Sequence, residues 1–146
     1  MTIRFANKKD IPRMQVIRNA VKENRLSVPS VIKDPDYLPF LFERGRGWVC
    51  EIEGEIRGFA FCDLRDQNIW ALFVDPLYEH IGVGRQLQSV MLNWYFAQGR
   101  EYVWLGTAPE TRAARFYKTS GWKHVGNHGP SELKFSLTRS EWLNTL

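Results

Sequence analysis

Phe73-Val74-Asp75-Pro76-Leu77-Tyr78-Glu79-His80-Ile81-Gly82-Val83-Gly84-Arg85-Gln86 decides how this chain is read. It begins inside a continuous apolar run, residues 69–74, which suits a strand covered on both faces. Asp75-Pro76 ends that strand, and Gly82-Val83-Gly84 opens a helix that runs to Gln98. Val83, Leu87, Val90, Met91 and Trp94 share one helix face, and Gly99 is placed to stop it. The first-turn amides of such a helix have no intrahelical partner, and its dipole adds partial positive charge there. Glycines let a ligand approach the backbone closely. Strand, glycine turn and helix together form an anion site suited to a phosphate or pyrophosphate, to which Arg85 adds a charge. A plain tight turn fits the same pattern. Two nucleotide signatures fit worse: the dinucleotide fingerprint needs a glycine where Leu87 stands, and no Gly-Lys-Ser/Thr is present.

Upstream, residues 48–53 and 56–64 read as a hairpin turning at Gly54-Glu55. With Glu53 facing Ile56, Cys50 faces Phe59 and Cys62 faces Gly47. This register puts Cys50 on the face of Phe59 and Phe61, and Cys62 on the other. A disulfide is then excluded, and two reduced, structural cysteines are expected. Residues 2–6 read as a first strand. Asp10 is placed to cap a helix with Pro12 in its first turn and Ile11, Met14, Ile17 and Val21 at helical spacing. Residues 25–35 read as a loop and 36–43 as a short aromatic helix, broken by Gly45 and Gly47. Downstream come a strand over 102–106, a helix from 109–111 to Ser120 stopped by Gly121, and closing strands over 122–126 and 132–138. The order β-α-α-β-β-β-α-β-α-β-β is an α/β (mixed α+β) layer of sheet and helices.

At 146 residues the chain is the size of one domain, expected to span 1–146, and can bury about two-thirds of its unfolded surface without staples. With 44% hydrophobic and 25% charged residues it is ordinary for a globular domain, which argues against disorder. No apolar run approaches a membrane span, and residues 1–5 carry no signal-peptide core, so no membrane and a cytoplasmic location are expected. The absence of Cys-x-x-Cys or His-x-x-x-His spacing argues against metal. The net charge of +4 is spread along the chain; it suits an anionic ligand, but no Lys/Arg cluster supports binding to nucleic acid.

A second stretch, Thr111-Arg-Ala-Ala-Arg-Phe116-Tyr117-Lys-Thr-Ser-Gly121-Trp122, sets two adjacent aromatics late in a helix, before a glycine stop and an aromatic strand. Taken with the glycine turn, it resembles the GCN5-related N-acetyltransferase (GNAT) family, whose signature is Arg/Gln-x-x-Gly-x-Gly/Ala followed by Asn-x-x-Ala-x-x-Phe-Tyr and Gly-Phe. Glu79-His-Ile-Gly82-Val-Gly84 carries the glycines, and Ala113-x-x-Phe116-Tyr117 with Gly121-Trp122 carries the second part. The element order follows the family plan along essentially the whole chain: a mixed, mostly antiparallel sheet, splayed at the cofactor site and flanked by helices.

The resemblance implies transfer of the acetyl group of acetyl-CoA to an amine by direct attack through a tetrahedral intermediate. It places backbone groups of Leu72, Phe73 and Val74 on the pantetheine and thioester, and amides of Ile81, Gly82, Val83, Gly84, Arg85 and Gln86 on the pyrophosphate. Tyr117 falls on the general acid; a phenol is protonated at neutral pH and can donate to a leaving thiolate. One more core aromatic is the other reading of Tyr117. Phe116 reads as core or cofactor contact. Two positions depart from the pattern. Glu79 stands where Arg or Gln is usual and should point away from phosphate. Glu110 replaces the Asn that helps hold pantetheine, and it also completes Thr107-x-x-Glu110, a capping box for the following helix.

The general base is open. Asn68 occupies the position where some relatives carry Glu and cannot take a proton; Asp63 and Asp66 read as a solvated hairpin end, and His80 sits in the cofactor loop. The acceptor amine is not named by the sequence. Tyr37, Phe40, Trp48 and Trp122 are candidates to line its site, each more readily read as core, and Glu23, Asp34 and Asp36 are candidates to attract a cation. Many relatives are dimers, but this sequence shows no diagnostic interface, so a homodimer stays open. The competing reading is a non-catalytic acyl-CoA-binding or sensing domain of the same fold, slightly favoured by Asn68 and Glu110.

Overall fold

The computed structural model describes residues 1–21 and 32–146. The strands are β1 (Thr2–Phe5), β2 (Gly45–Ile52), β3 (Glu55–Asp63), β4 (Asn68–Val74), β5 (Tyr102–Thr107), β6 (Lys123–His128) and β7 (Glu132–Thr138). The helices are α1 (Ile11–Ala20), α2 (Leu38–Phe42), α3 (Val83–Ala97), α4 (Arg112–Thr119) and α5 (Arg139–Asn144). This is the order read from the sequence with α5 added. A capping box starts α5: the Glu141 amide donates to the Thr138 hydroxyl at 3.1 Å and the Thr138 amide to the Glu141 carboxylate at 2.9 Å.

One sheet runs β1-β2-β3-β4-β5-β7-β6. Every neighbouring pair is antiparallel except β4–β5, which is parallel. Side chains alternate between two layers. Trp48, Cys50, Ala60 and Cys62 pack with Leu87, Met91 and Tyr95 of α3, Tyr117 of α4 and Trp142 of α5. Val49, Phe59, Phe61 and Ala71 pack on the other face with Met14 and Ile17 of α1 and Phe40 and Leu41 of α2. β5 and β7 send Val103, Leu105, Phe135 and Leu137 into the first layer.

The hairpin register differs from the sequence reading. The two-residue turn is Glu53-Gly54, with φ of 55° and 79°, so Ile52 closes against Glu55. Both central residues at positive φ are what a two-residue hairpin favours, because that twist matches the flanking strands. A bulge at Cys50/Glu51 then shifts the pairing once, and Cys50 faces Gly58 while Cys62 faces Arg46. The two cysteines therefore share a face, contrary to expectation. They remain free and fully buried, four residues apart along β3 and thus about 13 Å, beyond the reach of a disulfide. Gly45 and Gly47 lie inside β2 rather than before it. A Cβ on Gly47 would meet the Phe61 ring, and one on Gly45 the Cys62 carbonyl, so close approach explains these glycines.

Two smaller expectations are also revised. The short aromatic helix begins as a 3₁₀ turn, Asp34–Tyr37, before α2. Asp10 does not cap α1; its buried carboxylate accepts the Asn7 amide at 2.8 Å and a forked pair of bonds from Arg4 at 2.8 and 2.9 Å.

Candidate active site

β4 and β5 are in register at Asn68 and Trp104, the one pair joining them among the described residues. Beyond it they part. Leu72, Phe73 and Val74 stay paired to Ala60, Phe59 and Gly58 of β3, so their other backbone edge is open. A bulge precedes this segment: Phe61 faces Ala71 and Cys62 faces Ile69, which leaves Trp70 as the extra residue. Trp70 turns into an aromatic cluster, stacked on Phe40 at 4.1 Å and edge-on to Tyr37 at 5.1 Å.

The gap opens into a pocket of about 950 Å³. One wall is Leu72, Phe73 and Val74; another is Ile81, Gly82, Val83, Gly84 and Arg85; Phe116 and Tyr117 of α4 complete it. These are ten of the twelve residues named from the sequence. Gly82 caps α3 in the left-handed region, φ 95°, a conformation that glycine adopts without penalty. The Gln86 amide donates to the Gly82 carbonyl at 3.0 Å, the first bond of the helix. The amides of Val83, Gly84 and Arg85 precede it and have no intrahelical acceptor. Gln86 thus lies one residue past the end of the amide cluster, and it does not line the pocket.

Glu110 also stays outside the pocket wall. It is exposed, with φ of 59°, and it forms no capping box with Thr107. Thr111 caps α4 instead: its hydroxyl donates to the Ala108 carbonyl at 2.8 Å and accepts from the Ala114 amide at 3.1 Å. Thr107 is buried at the end of β5, where strand pairing claims it.

Glu79 lies on the pocket wall, where Arg112 pairs with it. That pairing offsets a carboxylate that would otherwise repel a phosphate. Arg112, Tyr78, and Ala20 and Val21 at the end of α1 were not read as site residues from the sequence, although all line the pocket. The Arg57 guanidinium lies over the Tyr78 ring at 4.2 Å and holds it against the loop.

Tyr117 is 7% exposed, edge-on to Phe116 at 5.3 Å and Trp122 at 5.5 Å. Burial pushes its phenol well above the usual tyrosine range. It therefore stays protonated across the physiological pH range. Asn68 carries a buried amide oxygen with no hydrogen-bond partner. Asp63 is not solvated: it is 2% exposed and bound by Arg44 at 2.5 Å, and Arg44 also takes Asp66 at 2.7 Å. His80 lines the pocket with φ of 69°.

Tyr37, Phe40, Trp48 and Trp122 are core residues and none lines the pocket. Trp122 donates its indole N–H to the buried Gln88 amide oxygen at 3.0 Å. Asp34 and Asp36 are exposed, and Asp36 accepts the Lys33 amide at 2.7 Å. Glu23 and most of the 25–35 loop lie outside the described residues.

The comparisons follow the geometry. The chain resembles the ribosomal-protein-S18-alanine N-acetyltransferase of Escherichia coli at TM-score 0.72 and 19% identity, covering 94% of this chain and 92% of that one. It resembles yncA of Salmonella typhimurium, solved with its cofactor acetyl-CoA, at 0.74 and 20%, covering 94% and 93%. It also resembles mutant forms of the spermidine/spermine N-acetyltransferase SpeG of Vibrio cholerae at 0.73 and 17%, covering 98% and 96%. At such identities these likenesses show the fold. A search of the curated proteins finds no match. A family model described as "Acetyltransferase (GNAT) family" matches residues 14–122, and the chain belongs to that family.

Proposed function

We propose that the chain is an acetyl-CoA-dependent N-acetyltransferase, a single domain over residues 1–146 that acts on an amine-bearing acceptor. The observation that carries this reading is the open edge of Leu72–Val74 facing the first-turn amides of α3 across one pocket. The amides of Val83, Gly84 and Arg85 bind the pyrophosphate, and the free backbone edge of β4 binds pantetheine and polarises the thioester carbonyl. Acetyl-CoA supplies the activated acetyl group. Tyr117, protonated and on the pocket wall, donates its proton to the departing thiolate sulfur. Gln86 and Glu110 drop out of the ligand set, because one amide is spent within the helix and the other side chain points to solvent.

The acceptor can be a small molecule or a protein. The structural neighbours include a ribosomal-protein-alanine and a spermidine/spermine acetyltransferase, so the fold alone does not choose. A non-catalytic acyl-CoA sensor is the second reading, favoured by the lack of a carboxylate at Asn68.

Thermal-shift titration with acetyl-CoA, CoA and NAD tests the proposal. A ligand at 100 times its dissociation constant adds about 2.7 kcal/mol, which moves the melting temperature visibly. Stabilisation by acetyl-CoA and CoA but not NAD is the expected result. Gly84→Val should abolish it: a Cβ there would already lie 3.6 Å from Val74 and 3.7 Å from Phe116, so the valine methyls project into the pocket. No shift for the wild type removes the reading.

A further inference from the structure

Gly106 of β5 lies two residues beyond Trp104, where β5 leaves β4. A Cβ on Gly106 would meet the Glu132 carboxylate oxygen at 2.7 Å and the His128 ring at 3.0 Å. The missing side chain therefore lets an acid and an imidazole sit directly over the β5 backbone at the edge of the split. His128 and Glu132 are the last pair of the β6–β7 hairpin, with Nε2 and Oε1 4.0 Å apart. The His128 ring also lies 4.8 Å from the Trp104 ring, and Lys134 lies over Trp104 at 4.9 Å. Both members of the pair are accessible, with side chains 50% and 41% exposed.

The face matters. Val103, Leu105, Phe135 and Leu137 point to the layer that contains Tyr117. Trp104, Gly106, Glu132 and Lys134 alternate with them and point the other way. A planar thioester carbonyl held in the split is attacked from one side, while its leaving sulfur is protonated from another. Tyr117 serves one face of the sheet, and the Glu132–His128 pair stands on the opposite one. Gly106 lies two residues beyond the Asn68–Trp104 pair and Leu72 four, so at about 3.3 Å per residue they are offset by about 7 Å along the strands, across the split.

We propose that Glu132, with His128 beside it, takes the proton of the acceptor amine, and that the acceptor enters over Trp104. The proposal rests on the acetyltransferase reading. The acceptor ammonium gives one N–H proton to the Glu132 carboxylate or the His128 imidazole. The nitrogen lone pair then forms the C–N bond, and the carbonyl π pair moves to oxygen. When the carbonyl re-forms, the C–S bond breaks and the thiolate takes the Tyr117 proton. The second N–H proton lost from nitrogen returns the phenol to its starting state through water, and the first leaves Glu132–His128 to solvent. An amide and a free thiol result. Lys134 is the charged group that faces the pair from β7; its ammonium disfavours a second cation there and so favours the neutral amine.

The test uses the full chain with acetyl-CoA and, as probe amines, benzylamine, which is protonated at neutral pH, and aniline, which is not. Glu132→Gln should lower the rate with benzylamine roughly 100-fold and move the acid limb of its pH–rate profile upward, and should leave the aniline rate and the acetyl-CoA thermal shift unchanged. Gly106→Ala, which pushes the carboxylate aside, should act in the same direction. An independent readout is an NMR titration of the CoA-bound protein with benzylamine, where the His128 ring and Trp104 indole signals should move. Equal loss with both amines, wild-type rates in Glu132→Gln, or no movement at His128 overturns the proposal. An absent acetyl-CoA shift in the wild type would instead overturn the acetyltransferase reading.

Discussion

On one side of the β4–β5 split, β2 to β4 are covered on both faces, by α1 and α2 below and α3 above. On the other, β5, β7 and β6 are covered on one face only, and every residue of β6 is exposed. The first half buries Phe59, Phe61, Tyr37 and Val49 completely, whereas the second half's open face carries Trp104, Lys134, His128 and Glu132. On the proposed reading, the difference separates two tasks. A strand edge that must polarise a carbonyl needs fixed backbone, and double coverage fixes it. A surface that must admit an acceptor needs access, which one uncovered face provides.

Three experiments break or sharpen that contrast. The largest effect is expected from Phe59→Ala, which empties the middle of the doubly covered half and should cost about 3–5 kcal/mol in chemical denaturation. Val125→Ala in β6, where the side chain is 53% exposed, should change stability by no more than about 0.5 kcal/mol. Comparable losses at both positions would mean that the halves are not differently packed. Next, Tyr117→Phe keeps the ring and its contacts and removes only the hydroxyl. Turnover should fall about 100-fold, with acetyl-CoA affinity and melting temperature nearly unchanged. An unaltered rate would return Tyr117 to the core.

The smallest effect concerns the Arg4–Asp10 pair at the outer edge of the covered half. Burial alone would raise the Asp10 carboxyl, but the Arg4 fork and the Asn7 amide outweigh it and hold it below its ordinary value of 3.8. A carboxyl lowered in the folded state stabilises fully above its unfolded value, and that contribution is lost as pH falls through the folded one. Arg4→Ala should therefore lower the urea midpoint at pH 7, and the gap to wild type should close below about pH 4. A gap that persists at low pH would assign the effect to packing rather than charge.

Much of this was legible in the sequence because it rests on local rules. The continuous apolar run at 69–74 marks a strand buried on both faces, and the Gly82–Gly84 turn with the amphipathic helix behind it places the amide cluster. What was not legible depends on distant partners or on turn geometry. The turn sits one residue early because Glu53, an unusual choice at positive φ, shares it with Gly54. The bulge at Cys50/Glu51 then shifts the register by one residue and moves Cys50 to the other face. Glu110 looked like the far half of a capping box, but Thr111, one residue later, took the cap. The Glu132–His128 pair had no signature, since it is assembled by β6–β7 pairing and by what Gly106 lacks. By contrast, Thr138-x-x-Glu141 is a local signal for α5, set directly behind the strand it follows.

The burial of Cys50 and Cys62 has a practical consequence. Burial raises the Cys50 thiol and pushes Cys62 up to about 12, and neither side chain is exposed. Electrophiles and oxidants react with the thiolate, so the native protein should be silent to them. A colorimetric reagent added during turnover would therefore count liberated CoA without background from the enzyme. The same silence makes Val125→Cys a lone reactive handle, to which a fluorophore could be attached to report on the open side of the sheet.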